Sequence, residues 1–152
     1  MKGRPIGELG IGDVGELSRV ASAGDVAAFL GSIGDGNPIH HDAKFAASTR
    51  FRKPIVPGLW SVGLLSAVMA TKLPGPGCIY VKQSVEFLRP VYFGDTITAR
   101  VEVVRRAIER NRVWLRTVCV NQDGEQVATG EAEVLPPKTV AYYSDASADG
   151  RR

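Results

Sequence analysis

The chain has 152 residues, 44% hydrophobic and 23% charged, which is one domain's length with enough apolar surface for a core without staples. That balance excludes a disordered, collagen-like or coiled-coil protein, and no apolar run reaches the roughly 18 residues of a membrane span. Nineteen basic against sixteen acidic residues leave a net charge of +3. This mild, scattered excess suits an anionic small molecule as well as nucleic acid, and no basic run with interleaved aromatics favours the latter.

In chain order, the Gly/Pro-rich stretch to Gly10 is expected to fray, and Leu17 to Ala21 to form a short strand. Ser22 and Asp25 then read as a helix start, the serine hydroxyl accepting an amide and the aspartate sitting at the positive helix end. That helix, Val26 to Ile33, stops at Gly34, a natural left-handed position. Asp35-Gly36-Asn37-Pro38-Ile39-His40 follows as a constrained loop, and Asp42 caps a short helix, Ala43 to Ser48. A long apolar helix begins at Pro57-Gly58, where proline's missing amide costs nothing. Apolar residues cover nearly all its faces, so it is expected to be surrounded. It ends at Pro74-Gly75-Pro76-Gly77.

From Cys78 the period changes to two. Ile79, Val81, Val85 and Phe87 alternate with Lys82, Ser84 and Glu86, and further runs follow at Ile97 to Val103, Val113 to Val120 and Val127 to Val134. Gly94-Asp95 and Asp123-Gly124 are hairpin signals too short for crossovers. The expected architecture is α+β, a curved antiparallel sheet wrapped round a buried helix. Residues 1–137 form the single domain, and 138–152 a polar, loosely ordered tail. Cys78 and Cys119 lie far apart in strand-like segments, and the first residues lack the apolar stretch of a secretion signal. Buried reduced thiols in a cytoplasmic protein are therefore expected.

Three motif readings fail. Gly10-Ile11-Gly12-Asp13-Val14-Gly15 matches a dinucleotide fingerprint as a string, but no apolar strand precedes it. Gly58-Leu59-Trp60-Ser61-Val62-Gly63 approximates a nucleophile elbow, yet its first glycine is one place early and both histidines lie upstream. Adjacent His40 and His41 do not easily share one metal ion, and no second cluster completes a ligand set.

What remains is a stiff loop offering a carboxylate and an imidazole five positions apart, Asp35 and His40. Gly34 permits a reversal, Pro38 fixes its own φ and pushes Asn37 toward extended backbone, and Asn37 can hydrogen-bond the loop to itself. Such a loop can hold both groups on one water molecule. The alternative for an isolated pair is a turn cap and a packed ring. His41, on the opposite side of an extended segment, is expected to point away.

The string Gly34-Asp35-Gly36-Asn37-Pro38-Ile39-His40-His41-Asp42, with Phe29 ahead of it, resembles the hydratase motif of the MaoC-like (R)-specific enoyl-CoA hydratases. The resemblance continues through Pro54-Ile55-Val56, Pro74-Gly75 with Gly77, Ile79 and Tyr80, and Phe87 with Pro90, Val91, Gly94 and Asp95, spanning Ile11 to Leu135. It implies a hotdog fold working as a homodimer whose sheets join edge to edge. It implies reversible addition of water to trans-2-enoyl-CoA, giving (R)-3-hydroxyacyl-CoA, with no metal and no redox cofactor; coenzyme A arrives as part of the acyl-CoA substrate. By the same resemblance Asp35 and His40 fall on the catalytic pair. Gly58 falls on the amide that donates to the thioester oxygen, and Ser66 on a helix serine that contacts the site, while Asn37 completes the substrate-binding set. Pro57 stands where family members often carry histidine.

Hydration of an unsaturated thioester requires a base for water at C3, an acid for C2 and a donor for the carbonyl oxygen. Glycine at position 58 leaves room for the thioester, and the helix end favours developing negative charge. The sequence does not decide which of Asp35 and His40 is base and which acid. Rival readings are a 3-hydroxyacyl dehydratase acting on acyl carrier protein and a catalytically silent acyl-CoA-binding module. A hotdog thioesterase is weaker, because Gly58 to Leu73 contains no Asp or Glu. Trp60 is expected in the core or narrowing the acyl pocket, whose depth is set near Phe29 and Phe45. Arg105, Arg106, Arg110 and Arg112 read as a solvated hairpin end, with contact to coenzyme A phosphates as the alternative.

Overall fold

Alternation of apolar and polar residues over the second half of the chain produces a five-stranded antiparallel sheet. In the computed structural model, which describes residues 1–144, the elements are β1 (Lys2–Gly3), β2 (Val14–Val20), α1 (Ala23–Ile33), α2 (Ala43–Ala47), β3 (Ile55–Val56), α3 (Gly58–Thr71), β4 (Ile79–Phe87), β5 (Val91–Tyr92), β6 (Thr96–Ala107), β7 (Arg112–Val120), β8 (Gln126–Leu135) and β9 (Ala141–Tyr142). The sheet runs β2-β6-β7-β8-β4, and two short ribbons pair β1 with β9 and β3 with β5. Alternate residues of the central strands, among them Ile97, Ala99, Val101 and Val103 of β6 and Val113, Leu115 and Cys119 of β7, face inward and are fully buried. They pack around Trp60, Leu65, Val68 and Met69 of α3. Each large aliphatic side chain removed from water there contributes roughly 1.5–3 kcal/mol. This is the hotdog architecture, a sheet wrapped on one long helix. Among the described residues no helix is long and apolar enough to cross a membrane.

Local signals act where the sequence places them. Ser22 Oγ accepts the Asp25 amide at 3.1 Å to open α1, which closes on Gly34 in the left-handed region at φ 72°. Asp42 accepts the Phe45 amide at 2.9 Å and caps α2. The Gly10–Gly15 string forms a turn, with the Asp13 amide donating to Gly10 O at 3.1 Å, and then enters β2; no helix follows it directly.

Three expectations need correction. The N-terminal stretch does not fray: β1 pairs with β9, Leu9 is 1% exposed in the core, and Arg4 bridges to Asp13 at 2.6 Å. Leu9 supplies the apolar anchor, and the Arg106 guanidinium donates to the carbonyls of Ile6 and Leu9. The helix α3 is not surrounded on all sides either. Leu59 (56% exposed), Gly63, Ser66 and Ala70 share a side left open in the protomer. The tail expected from Lys138 includes β9 in its first part; residues 145–152 lie outside those described.

Candidate active site

The loop after α1 is built by its own side chains. Asp35 Oδ1 accepts the Asn37 amide at 3.0 Å, and Asn37 Oδ1 accepts the Ile39 amide at 3.2 Å, capping a single 3-10 turn over Pro38–His40. Pro38 supplies the first residue of that turn, where no amide is needed. The turn drives the His40 ring inward until it is about nine-tenths buried, and Nδ1 meets the Ile55 carbonyl of β3 at 2.7 Å. A carbonyl only accepts, so Nδ1 carries a proton, and it is Nε2 that holds the free lone pair whenever the ring is neutral. Nε2 stands 3.7 Å from Asp35 Oδ2. That is too long for a direct hydrogen bond, yet close enough for one water to reach both.

Both groups open onto a cavity of about 400 Å³. Its walls come from Phe29 of α1, Val56 of β3, Gly58 and Ser61 at the start of α3, and Val127 and Ala128 of β8. The α3 N-terminus has no side-chain cap. Its first amides are therefore available to a negative group, and the helix dipole favours one there. Arg50 and Arg89 add positive charge to the lining.

Asp35, His40 and Gly58 are thus brought together, whereas Asn37 and Ser66 are not among the lining residues. Asn37 is exposed, and its side-chain oxygen is spent on the turn, so what it is seen to do is shape the loop. Ser66 lies on the open side of α3. The inward serine is Ser61, which is 1% exposed and whose Oγ has no hydrogen-bond partner among the described residues. Trp60 belongs to the core, and of the two phenylalanines expected near the acyl pocket only Phe29 lines the cavity. His41 stays off it, its Nε2 3.3 Å from the Gly36 carbonyl. Three of the four hairpin arginines are engaged elsewhere: Arg105 stacks 3.5 Å over the Trp114 ring, Arg106 holds the N-terminal segment and Arg112 pairs with Glu133, while Arg110 is exposed.

Ser61, Arg50 and Arg89 are the residues that the sequence did not single out. Only Ser61 carried a usable signal, since it lies three positions beyond Gly58 and so on the same helix face. A second cavity of about 450 Å³ lies on the other side of His40, lined by Val26, Leu30, Tyr92 and Phe93.

The likeness to known proteins fits this geometry. A curated 3-hydroxybutyryl-CoA dehydratase of Methylorubrum extorquens is 43% identical, over 86% of this chain and 82% of that protein. An (R)-specific enoyl-CoA hydratase of Rhodospirillum rubrum is 42% identical, over 83% of this chain and 87% of its own. The solved R-hydratase of Pseudomonas aeruginosa, unliganded, superposes with a TM-score of 0.86 at 38% identity, covering 95% of this chain and 94% of that one. The family described as MaoC like domain matches residues 14–124, and the chain belongs to that MaoC-like family.

Proposed function

We propose that this protein is an (R)-specific enoyl-CoA hydratase that adds water reversibly to trans-2-enoyl-CoA. One observation carries the reading: Asp35 Oδ2 and His40 Nε2 face each other at 3.7 Å on the wall of the cavity that also receives the first turn of α3. A water held there donates one hydrogen bond to the carboxylate and one to the imidazole. As its oxygen bonds to C3, His40 Nε2 takes a proton, and the π pair of C2=C3 moves through the thioester toward its oxygen. The Gly58 amide receives that charge. The imidazolium, stabilised by the adjacent carboxylate, then returns the proton to C2. Nothing is oxidised or reduced overall, so the proposal includes no redox cofactor. The Asp35–His40 pair activates the water and the Gly58 amide takes the charge, so it includes no metal either, and activity is expected to survive chelation.

The assembly we propose is a homodimer joined through β4, the outer strand beside β8. Its support is an unpaired strand edge carrying exposed Ile79, Val81 and Phe87, next to exposed Leu59 of α3. A cytoplasmic location is supported by the two free thiols, Cys78 and Cys119. Coenzyme A is the carrier favoured by the names of the two relatives above.

The test is loss of the enoyl-thioester absorbance of crotonyl-CoA, with the product's configuration read by a stereospecific dehydrogenase. Asp35→Asn and His40→Ala should each lower kcat by about 10²–10⁴-fold with the far-UV spectrum unchanged. Near-wild-type turnover in either variant, or an (S) product, would overturn the reading. Matched enoyl-CoA and enoyl-carrier-protein substrates test the carrier, CoA being expected to give the higher kcat/KM.

A further inference from the structure

Ser61 is a buried polar side chain that nothing in the fold uses. It is 1% exposed, its Oγ lacks a partner among the described residues, and it lines the same cavity as Asp35, His40 and Gly58. Its backbone carbonyl is occupied by the Cys119 thiol at 3.6 Å, which leaves the hydroxyl as the only uncommitted group of the residue facing inward from α3. A buried hydroxyl without a partner costs about 1–3 kcal/mol, so such a group calls for a partner that arrives with a ligand.

Position narrows what that partner is. Gly58 and Ser61 lie at i and i+3 of α3, hence side by side on one helix face, with side-chain origins roughly 5–6 Å apart in such pairs. A carbonyl oxygen has two lone pairs, and the Gly58 amide fills one. We propose that the Ser61 hydroxyl is a second donor to the thioester oxygen, making Gly58 N–H and Ser61 O–H a two-point cradle for the charge that develops there. This rests on the hydratase reading and adds to it a catalytic residue whose hydroxyl strengthens its hydrogen bond as the oxygen becomes anionic.

The experiment combines kinetics, stability and a spectrum. Ser61→Ala introduces the best helix-forming residue and removes an unpartnered donor, so the variant should melt no lower than wild type. Its kcat on crotonyl-CoA should fall by roughly 10²-fold, with KM changed much less, as for loss of an oxyanion donor. Ser61→Cys, a near-isostere with a weak donor, should lose kcat similarly. In an Asp35→Asn background that binds crotonyl-CoA without turning it over, adding Ser61→Ala should raise the infrared stretching frequency of the bound thioester carbonyl, because one polarising donor is gone. A kcat within twofold of wild type, a loss confined to KM, or an unshifted carbonyl band overturns the assignment. A wild-type protein without hydration of crotonyl-CoA counts against the parent reading instead; the carbonyl shift needs only binding and then decides Ser61 alone.

Discussion

At position 58 a methyl group would have to displace the half-exposed Phe87 ring. A Cβ built there would lie 2.5 Å from Cε1 of Phe87, whose ring sits against the start of α3. Glycine was expected there to admit the thioester; the neighbouring ring gives a second, purely steric reason. The two separate experimentally. Gly58→Ala should lower the melting temperature modestly, by what the displaced Phe87 ring loses, and should also depress kcat. Adding Phe87→Ala removes the clash, so stability should recover to that of Phe87→Ala while kcat stays below that of Phe87→Ala alone, because the new methyl still crowds the amide. Recovery of both together would mean that only the ring matters. Asp35 and His40 were legible in the sequence because their relation is local: Gly34, Asn37 and Pro38 set it within one loop. The Ile55 carbonyl, which fixes the imidazole tautomer, comes from a different element and left no trace in the motif.

Among the elements, α3 shows where sequence reading stops. A helix that is apolar on every side has no preferred inward direction, so its apolar pattern did not rank Ser61 against Ser66. Only the spacing from Gly58 marked Ser61; Ser66, named by the resemblance, faces outward in the protomer. Packing against β6 and β7 breaks the tie. Strand β4 carries the complementary lesson. Its strand character was readable, but its inward set was not. Ile79, Val81 and Phe87 are exposed, whereas Tyr80 and Val85 pack on the core across the irregularity between Tyr80 and Lys82. Its place at the sheet's edge depends on the pairing order. Val81 is 43% exposed and sits at the irregularity between Tyr80 and Lys82, so a charge there should not disturb the core. Val81→Lys is expected to yield a folded monomer by light scattering, with reduced activity, since Phe87 at the end of β4 and the following Leu88 and Arg89 line the cavity. A variant that remains dimeric and active would place the seam elsewhere.

For the molecule as a whole, three groups tie stability to alkaline pH. Burial pushes the Cys78 and Cys119 thiols from their ordinary value of 9.0 up to about 12. Burial, with a smaller contribution from Cys119, lifts the Tyr80 phenol from 10.0 to about 12. Each acid holds its proton longer in the folded chain than in the unfolded one, so between these values the native state binds more protons and stability falls as pH rises. Chemical denaturation midpoints should therefore be insensitive to these groups below about pH 9 and decline from there toward pH 12. Replacing Cys119 with Ala should flatten that decline, and an unchanged slope would exclude the thiol as its source. An antiparallel sheet and the helix it wraps could be anticipated at this scale from periodicity alone, whereas the strand order could not. The N-terminal anchor could not, because Leu9, Arg4 and Arg106 reach partners that only the folded chain brings near.

The β1–β9 ribbon also places the two described chain ends within a hydrogen bond of each other, the Met1 ammonium donating to the Tyr143 carbonyl at 2.6 Å. The same ribbon lies against the Pro74–Gly77 turn, with Arg4 N donating to Pro74 O at 2.9 Å, beyond the far end of α3 from Gly58. Fourteen helical residues, about 20 Å of rise, separate this clasp from the chemistry. The molecule is thus polarised, its described ends buckled together at one pole and the Asp35–His40 cavity open at the other, so that loosening the ribbon is felt at the clasp and not at the cavity.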